Sequence, residues 1–119
     1  MSKADAEVLR QPLVLPHEVL PNRLAKAAMT EGLATRDGVP SDGLIRLYQG
    51  WARGGAGLHI TGNVVIDRAH LERPGNVVLD GKLDTAGRGA LSRWAEAIRS
   101  QGAGAWMQLN HAGRQTRAS

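Results

Sequence analysis

The sequence predicts an α/β protein: a parallel sheet of about three strands joined by two helices. Three observations carry that reading. Apolar, β-branched runs alternate with stretches of helical periodicity in the order strand, helix, strand, helix, strand. Each expected helix opens on a capping residue and closes on glycine. The connections between strands are long enough to be helical crossovers, which join parallel neighbours.

Taken in order, the first 12 residues are polar and are expected to be loose. Leu13-Val14-Leu15-Pro16 is a short extended segment between Pro12 and Pro16, and Pro21-Asn22 marks a turn. Leu24 to Met29 reads as the first strand, with helix as the alternative because of its alanines. Gly32, Gly38 and Pro40 make the next segment a loop. Ser41 caps the first helix, with acidic Asp42 in its first turn. Leu44, Ile45, Tyr48, Trp51 and Ala52 fall on one face of it, and Gly54-Gly55 ends it. Ala56 to Ile66 is the second strand, with a break expected at Gly62-Asn63. A loop runs from Asp67 to about Asp84, and Asp84 or Thr85 caps the second helix. Leu91, Trp94, Ala95 and Ile98 fall at i, i+3, i+4 and i+7, and Gly102 ends it. Ala103 to Leu109 is the third strand, in which Ala105, Met107 and Leu109 alternate with Trp106 and Gln108. The segment from Asn110 to Ser119 is polar.

Two architectures fit that order: an open doubly wound sheet, or the first part of an eight-stranded barrel. A whole (β/α)8 barrel takes about 250 residues, so 119 residues would supply only its first three strands.

Composition narrows the chemistry. There is no cysteine, which excludes a disulfide scaffold, thiolate-held zinc and a cysteine nucleophile. No apolar run approaches the roughly 18 residues of a membrane span, and the N-terminus has no leader-like apolar stretch. A cytoplasmic, membrane-free protein is expected. The net charge of +4 does not point to nucleic acid. Arginines are interleaved with acids, and the only local basic excess is Arg114 with Arg117, whereas a nucleic-acid face clusters its charge.

In either parallel α/β architecture, ligands gather at the C-terminal ends of strands. Those ends here are Met29-Thr30-Glu31, Thr61-Gly62-Asn63 and Gln108-Leu109-Asn110-His111. All three are rich in hydrogen-bonding groups, which suits a polar planar ligand laid across adjacent strands. The glycine runs Gly54-Gly55-Ala56-Gly57 and Gly102-Ala103-Gly104 are not phosphate loops, because each lies between a helix and the next strand. They read as helix caps and tight turns. His17, His59, His70 and His111 show no metal-ligand spacing on one helix. Asp67, His70 and Glu72 are neighbours in one loop and read as solvated charges, so no metal site is assigned. There is no G-x-S-x-G, and no catalytic residue is assigned.

Five short stretches occur in one order: Asn22-Arg23-Leu24, Ala27-Ala28-Met29-Thr30, Gly54-Gly55-Ala56-Gly57-Leu58, Ile60-Thr61-Gly62 and Gln108-Leu109-Asn110-His111-Ala112-Gly113-Arg114. Together they resemble the N-terminal part of the old yellow enzyme family, the NADH:flavin oxidoreductases, from about Leu13 to Gln115. The resemblance implies an incomplete FMN-binding TIM-barrel domain over residues 13–119. It implies FMN at the barrel mouth, NAD(P)H as electron donor and an activated alkene or similar small molecule as acceptor. It places Ala28, Met29 and Thr30 beside the flavin, although many members carry proline where this chain has Ala28. Thr30 would point its hydroxyl at the flavin C4 oxygen. Gly62 would let the backbone approach the ring edge, and Gln108 would pair with the pyrimidine edge.

The family's substrate-activating histidine pair and its phosphate loops lie further along than this sequence reaches. The resemblance therefore makes the chain a segment of an FMN-dependent oxidoreductase, not expected to bind FMN tightly or to turn over by itself. It would be a truncated gene product, or one part of a split barrel completed by another polypeptide. The alternative is a non-catalytic remnant or interaction module that uses an exposed sheet to hold a partner chain.

Overall fold

The computed structural model describes residues 2–116 of the chain. Arg117, half of the basic tail, and the last residues of the 13–119 span lie outside the described residues. In chain order the elements are α1 (Lys3–Arg10), β1 (Leu13–Val14), β2 (Val19–Leu20), β3 (Ala25–Lys26), α2 (Asp42–Arg53), β4 (Leu58–Val65), β5 (Val77–Val78), α3 (Thr85–Arg99) and β6 (Gly104–Asn110). A 3-10 turn covers Gly113–Gln115.

The two crossover helices begin where capping chemistry puts them. Ser41 Oγ accepts the Leu44 N–H at 3.1 Å, and the Asp84 carboxylate accepts the Gly87 N–H at 2.8 Å. Leu44, Ile45, Tyr48 and Ala52 of α2 are buried, as are Ala90, Trp94, Ala97 and Ile98 of α3. The two faces meet edge to face: the Tyr48 and Trp94 rings are 5.4 Å apart at 82°. Glycine ends both helices, with Gly55 at φ 90° and Gly102 at φ 88°, backbone that other residues rarely adopt.

β4 is the centre of a parallel sheet. β6 pairs along one edge of it, from Leu58↔Gly104 to Val65↔Asn110. β3 pairs with the first half of its other edge, and β5 with the second half. The strands β3, β4 and β6, with α2 and α3 between them, are the expected succession of three strands and two helices. Ile60, Asn63, Trp106 and Gln108 share one sheet face by register, while Val64 and Ala105 on the opposite face pack against the helices.

The structure corrects four expectations. Residues 1–12 are not loose, because Lys3–Arg10 is helical. Its cause is local: Ser2 Oγ accepts the Asp5 N–H while Asp5 accepts the Ser2 N–H, a closed capping box. The extended segment at Leu13 is one arm of an antiparallel hairpin with β2. That hairpin lies over the start of β6, where a Cβ on Gly104 would meet the Glu18 and Leu20 side chains, and Trp106 Nε1 donates to Glu18 at 3.0 Å. The first strand is only Ala25–Lys26, shorter than Leu24 to Met29. The long loop after β4 contains β5, which takes the edge β3 leaves open.

His59 on β4 is buried, and neither imidazole nitrogen has a partner. Burial, then the positive charge of Lys26, holds its pKa below the ordinary histidine value. The unfolded chain therefore takes up a proton that the folded chain refuses. Stability is expected to fall as pH drops below about 6.5. Urea midpoints between pH 8 and pH 5 should decline for the natural chain and decline less for His59→Leu.

Candidate functional site

At the C-terminal strand ends, polar side chains are tied together through two carboxylates. The first is Glu72, in the loop after β4. It accepts from Thr30 Oγ1 at 3.0 Å, Asn63 Nδ2 at 3.1 Å and Asn76 Nδ2 at 3.2 Å. Asn63 in turn accepts from Gln108 Nε2 at 2.6 Å. One network thus spans the chain just after β3, the middle strand β4 and the outer strand β6. Asn76 is buried and fixed at its other end, where its Oδ1 accepts the Arg73 N–H at 2.9 Å. Desolvation pushes the Glu72 pKa up, but the hydrogen bonds from Asn63, Asn76 and Thr30, with the Arg73 charge, outweigh it and leave it lowered. Glu72 is therefore an ionised acceptor at neutral pH.

The second carboxylate is Glu31. Tyr48 Oη donates to it at 2.5 Å and accepts the Gly62 N–H at 3.2 Å. Burial first, then the Glu31 hydrogen bond and charge, pushes the Tyr48 phenol far up, so it stays a donor. Lys26 Nζ sits over the Tyr48 and Trp51 rings, 5.2 and 4.9 Å from their centres. Desolvation there lowers its pKa, against the pull of Glu31.

The backbone under this rim is irregular for a stated reason. Ile60 pairs with Trp106 and Asn63 with Gln108, so Thr61 and Gly62 together face Met107 alone. This is a β-bulge. Thr61 Oγ1 fills in as acceptor for the Gln108 N–H at 3.1 Å. The break expected at Gly62-Asn63 is absent: β4 runs unbroken from Leu58 to Val65, and the ladder only bulges at Thr61-Gly62. A Cβ on Gly62 would overlap the Glu31 carboxylate and the Met29 carbonyl, so glycine here lets two strand ends touch.

At the opposite ends of the strands, Asn22 is a clasp. Its Oδ1 accepts the Leu24 and Gly57 N–H groups at 3.1 and 2.8 Å, and its Nδ2 donates to the Gly55 carbonyl at 2.8 Å. The Asn22-Arg23-Leu24 and Gly54-Gly55-Ala56-Gly57 stretches are thus two halves of one joint that sets β3 beside β4.

No family model matches the chain. An NADH-dependent flavin oxidoreductase of Hypocrea jecorina is 41% identical over 97 residues, which are 81% of this chain and 24% of that protein. The NADH oxidase of Thermoanaerobacter brockii is 41% identical over 99 residues, covering 82% of this chain and 15% of the relative. The structure of the old yellow enzyme from Trypanosoma cruzi superposes with a TM-score of 0.78 at 26% identity, over 92% of this chain and 28% of that one. The chain is similar to a segment of old yellow enzymes and NADH-dependent flavin oxidoreductases. It spans about a quarter of the length of the curated relative from Hypocrea jecorina. Its sheet and helices match part of the old yellow enzyme TIM barrel.

Of the five positions the old yellow enzyme resemblance selects, the structure gathers Thr30, Gly62 and Gln108 within the two networks. Ala28 and Met29 lie beside them on the segment after β3; Ala28 is half-buried, and Met29 is 49% exposed. The Thr30 hydroxyl donates to Glu72. Glu31 and Asn63 stand at strand ends that the sequence singles out, whereas Tyr48, Glu72 and Asn76 were not expected at the site. The loop trio is divided: Glu72 faces Thr30, while Asp67 and His70 join His111.

No helix among the described residues is long and apolar enough to cross a membrane.

Proposed function

We propose that this chain supplies the flavin-facing ends of the first strands of an FMN-dependent oxidoreductase. The observation that carries the reading is the network joining Thr30, Asn63 and Gln108 through Glu72 across the strand ends. It leaves the exposed Gln108 amide with its carbonyl oxygen and one N–H unspent. That alternating donor and acceptor suits the pyrimidine edge of a flavin. Ala28 is small and Met29 apolar and half-exposed, which suits one face of a flat ring. Bound FMN would supply the redox chemistry, taking hydride from NAD(P)H and passing it to an activated alkene or similar small acceptor.

The residues of this chain orient the ring. Gln108 is held by Asn63, and Asn63 by Glu72, so the recognising amide is fixed before any ligand arrives. Thr30 presents hydroxyl lone pairs to a ring N–H while its proton stays on Glu72. The bulge at Thr61-Gly62 sets the register between Asn63 and Gln108 that makes this possible.

The fold also needs company. Trp106, Met107 and Leu109 on β6 are 44%, 40% and 59% exposed. An uncovered apolar strand of this kind is a pairing surface. A complementing polypeptide carrying the remaining barrel would cover it and add the rest of the cofactor site. The 119-residue chain alone is expected to bind FMN weakly and to oxidise NAD(P)H negligibly. Titration with FMN, followed by flavin fluorescence and absorbance, checks this. Binding should become tight and saturable once the complementing polypeptide is added. A flavin-loaded, active preparation of the chain alone would overturn the need for a partner, and a folded complex without flavin would overturn the cofactor.

A further inference from the structure

The outer side of the same rim carries a second group of polar side chains, which the flavin reading does not use. The β4–β6 ladder runs to Val65↔Asn110 and is prolonged by the Ile66 N–H donating to the Asn110 carbonyl at 3.0 Å. In that register His111 stands opposite Ile66, one residue before Asp67, so the Asp67 and His111 side chains come within reach as both strands end. The chain then turns: the His70 N–H donates to the Asp67 carbonyl at 3.0 Å, and the Ala69 N–H to Asp67 Oδ1 at 2.9 Å. The turn returns His70 to the same place. His70 Nδ1 is 2.7 Å and His111 Nε2 is 3.3 Å from a single oxygen, Asp67 Oδ2. The two imidazole rings are 5.0 Å apart and tilted by 31°.

We propose that Asp67, His70 and His111 bind one divalent first-row transition ion, with Zn2+ as the reference case. The three ligand atoms lie within 4.8 Å of one another. Zinc at about 2.0–2.2 Å from nitrogen and oxygen ligands in tetrahedral array separates them by about 3.3 Å. The two separations from Asp67 Oδ2, 2.7 and 3.3 Å, are already near that, so side-chain rotations complete the site. Two imidazoles with one carboxylate suit zinc and its neighbours, and suit calcium or magnesium poorly, since those take oxygen ligands. The side chains are 37–47% exposed, which leaves the remaining positions of the ion open to water. Asp67 is held from behind by the Ala69 amide, an outer-shell contact of the kind that fixes a ligand.

One rearrangement is required. His111 Nδ1 now accepts the Gly113 N–H at 3.0 Å. An ion on Nε2 puts the proton on Nδ1, and the Gly113 amide must turn away. Gly113 sits at φ 55° with open space where a Cβ would be, so a glycine is placed where that turn is cheapest. This inference stands apart from the flavin reading, because it needs neither cofactor nor partner.

The test is a titration of the untagged chain with Zn2+ by calorimetry and with Co2+ by its visible absorbance. One ion per chain is expected, with a shift of the Gly113 amide resonance in the natural chain. His70→Ala and His111→Ala should each weaken binding by more than the roughly 10-fold that loss of an outer-shell partner costs. His17→Ala, in the hairpin turn, should change nothing. Absence of Zn2+ binding, or binding that survives both variants, would overturn the site. The Gly113 resonance, read without any substitution, keeps the test decisive if a variant misfolds.

Discussion

Gly62→Ala is expected to be the most damaging single methyl that can be added to this chain. The new Cβ meets the Met29 carbonyl and the Glu31 carboxylate, and the first is backbone that cannot rotate aside. Overpacking of this kind costs about 1–3 kcal/mol, occasionally more. It also pushes apart the ends of β3 and β4, so the Tyr48 hydroxyl loses the Gly62 N–H. Urea unfolding checks the cost. Gly50→Ala is the contrast. Gly50 lies on the exposed face of α2, where its Cβ would meet only Arg53 Nη2 at 3.9 Å. That substitution should stabilise by about 0.5–1 kcal/mol. Equal effects of the two alanines would contradict the strand-end packing.

Glu72→Ala should have the next largest effect. Thr30, Asn63 and Asn76 all donate to this carboxylate, and Asn76 is buried. A buried donor left without an acceptor costs about 1–3 kcal/mol. Glu72→Gln keeps one carbonyl acceptor and should recover part of the loss. The lowered pKa of Glu72 adds a pH signature. Its contribution is complete above the unfolded carboxyl value, about 4.3, and is lost as pH falls through the lower folded value. The natural chain should therefore lose stability more steeply below pH 4.3 than Glu72→Gln does. Identical acid limbs for the two would show that Glu72 does not hold the rim together.

Much of this architecture is written locally, and that part was legible. Ser41 and Asp84 announce helices because a side-chain oxygen before an apolar stripe has one obvious use. Ala56 to Ile66 and Ala103 to Leu109 read as strands because their β-branched and alternating residues have no competing pattern. What escaped was either too short or too distant. β2 and β5 are two residues each, below the length at which periodicity carries information. α1 buries nothing and rests on one capping box, so no apolar pattern marks it.

The site divides in the same way. Thr30, Gly62 and Gln108 were found because strand ends in parallel sheets collect function, and the family likeness named them. Tyr48 looked like core, and it is core, but its hydroxyl reaches the rim. Glu72 looked like a solvated charge because its partners Thr30 and Asn63 lie 42 and 9 residues away. His111 meets Asp67 across 44 residues, which no loop motif could announce. Side chains joined only by register become visible when the register is known.

The central claim is that these strand ends are built to hold a flavin. It is tested most directly by replacing the matching segment of a full-length NADH-dependent flavin oxidoreductase with this chain and measuring the flavin retained after gel filtration. The account predicts stoichiometric flavin in the chimera and its loss on Thr30→Ala combined with Gln108→Ala, with the circular dichroism spectrum unchanged. A folded chimera without flavin, or one whose flavin is indifferent to both substitutions, would contradict it.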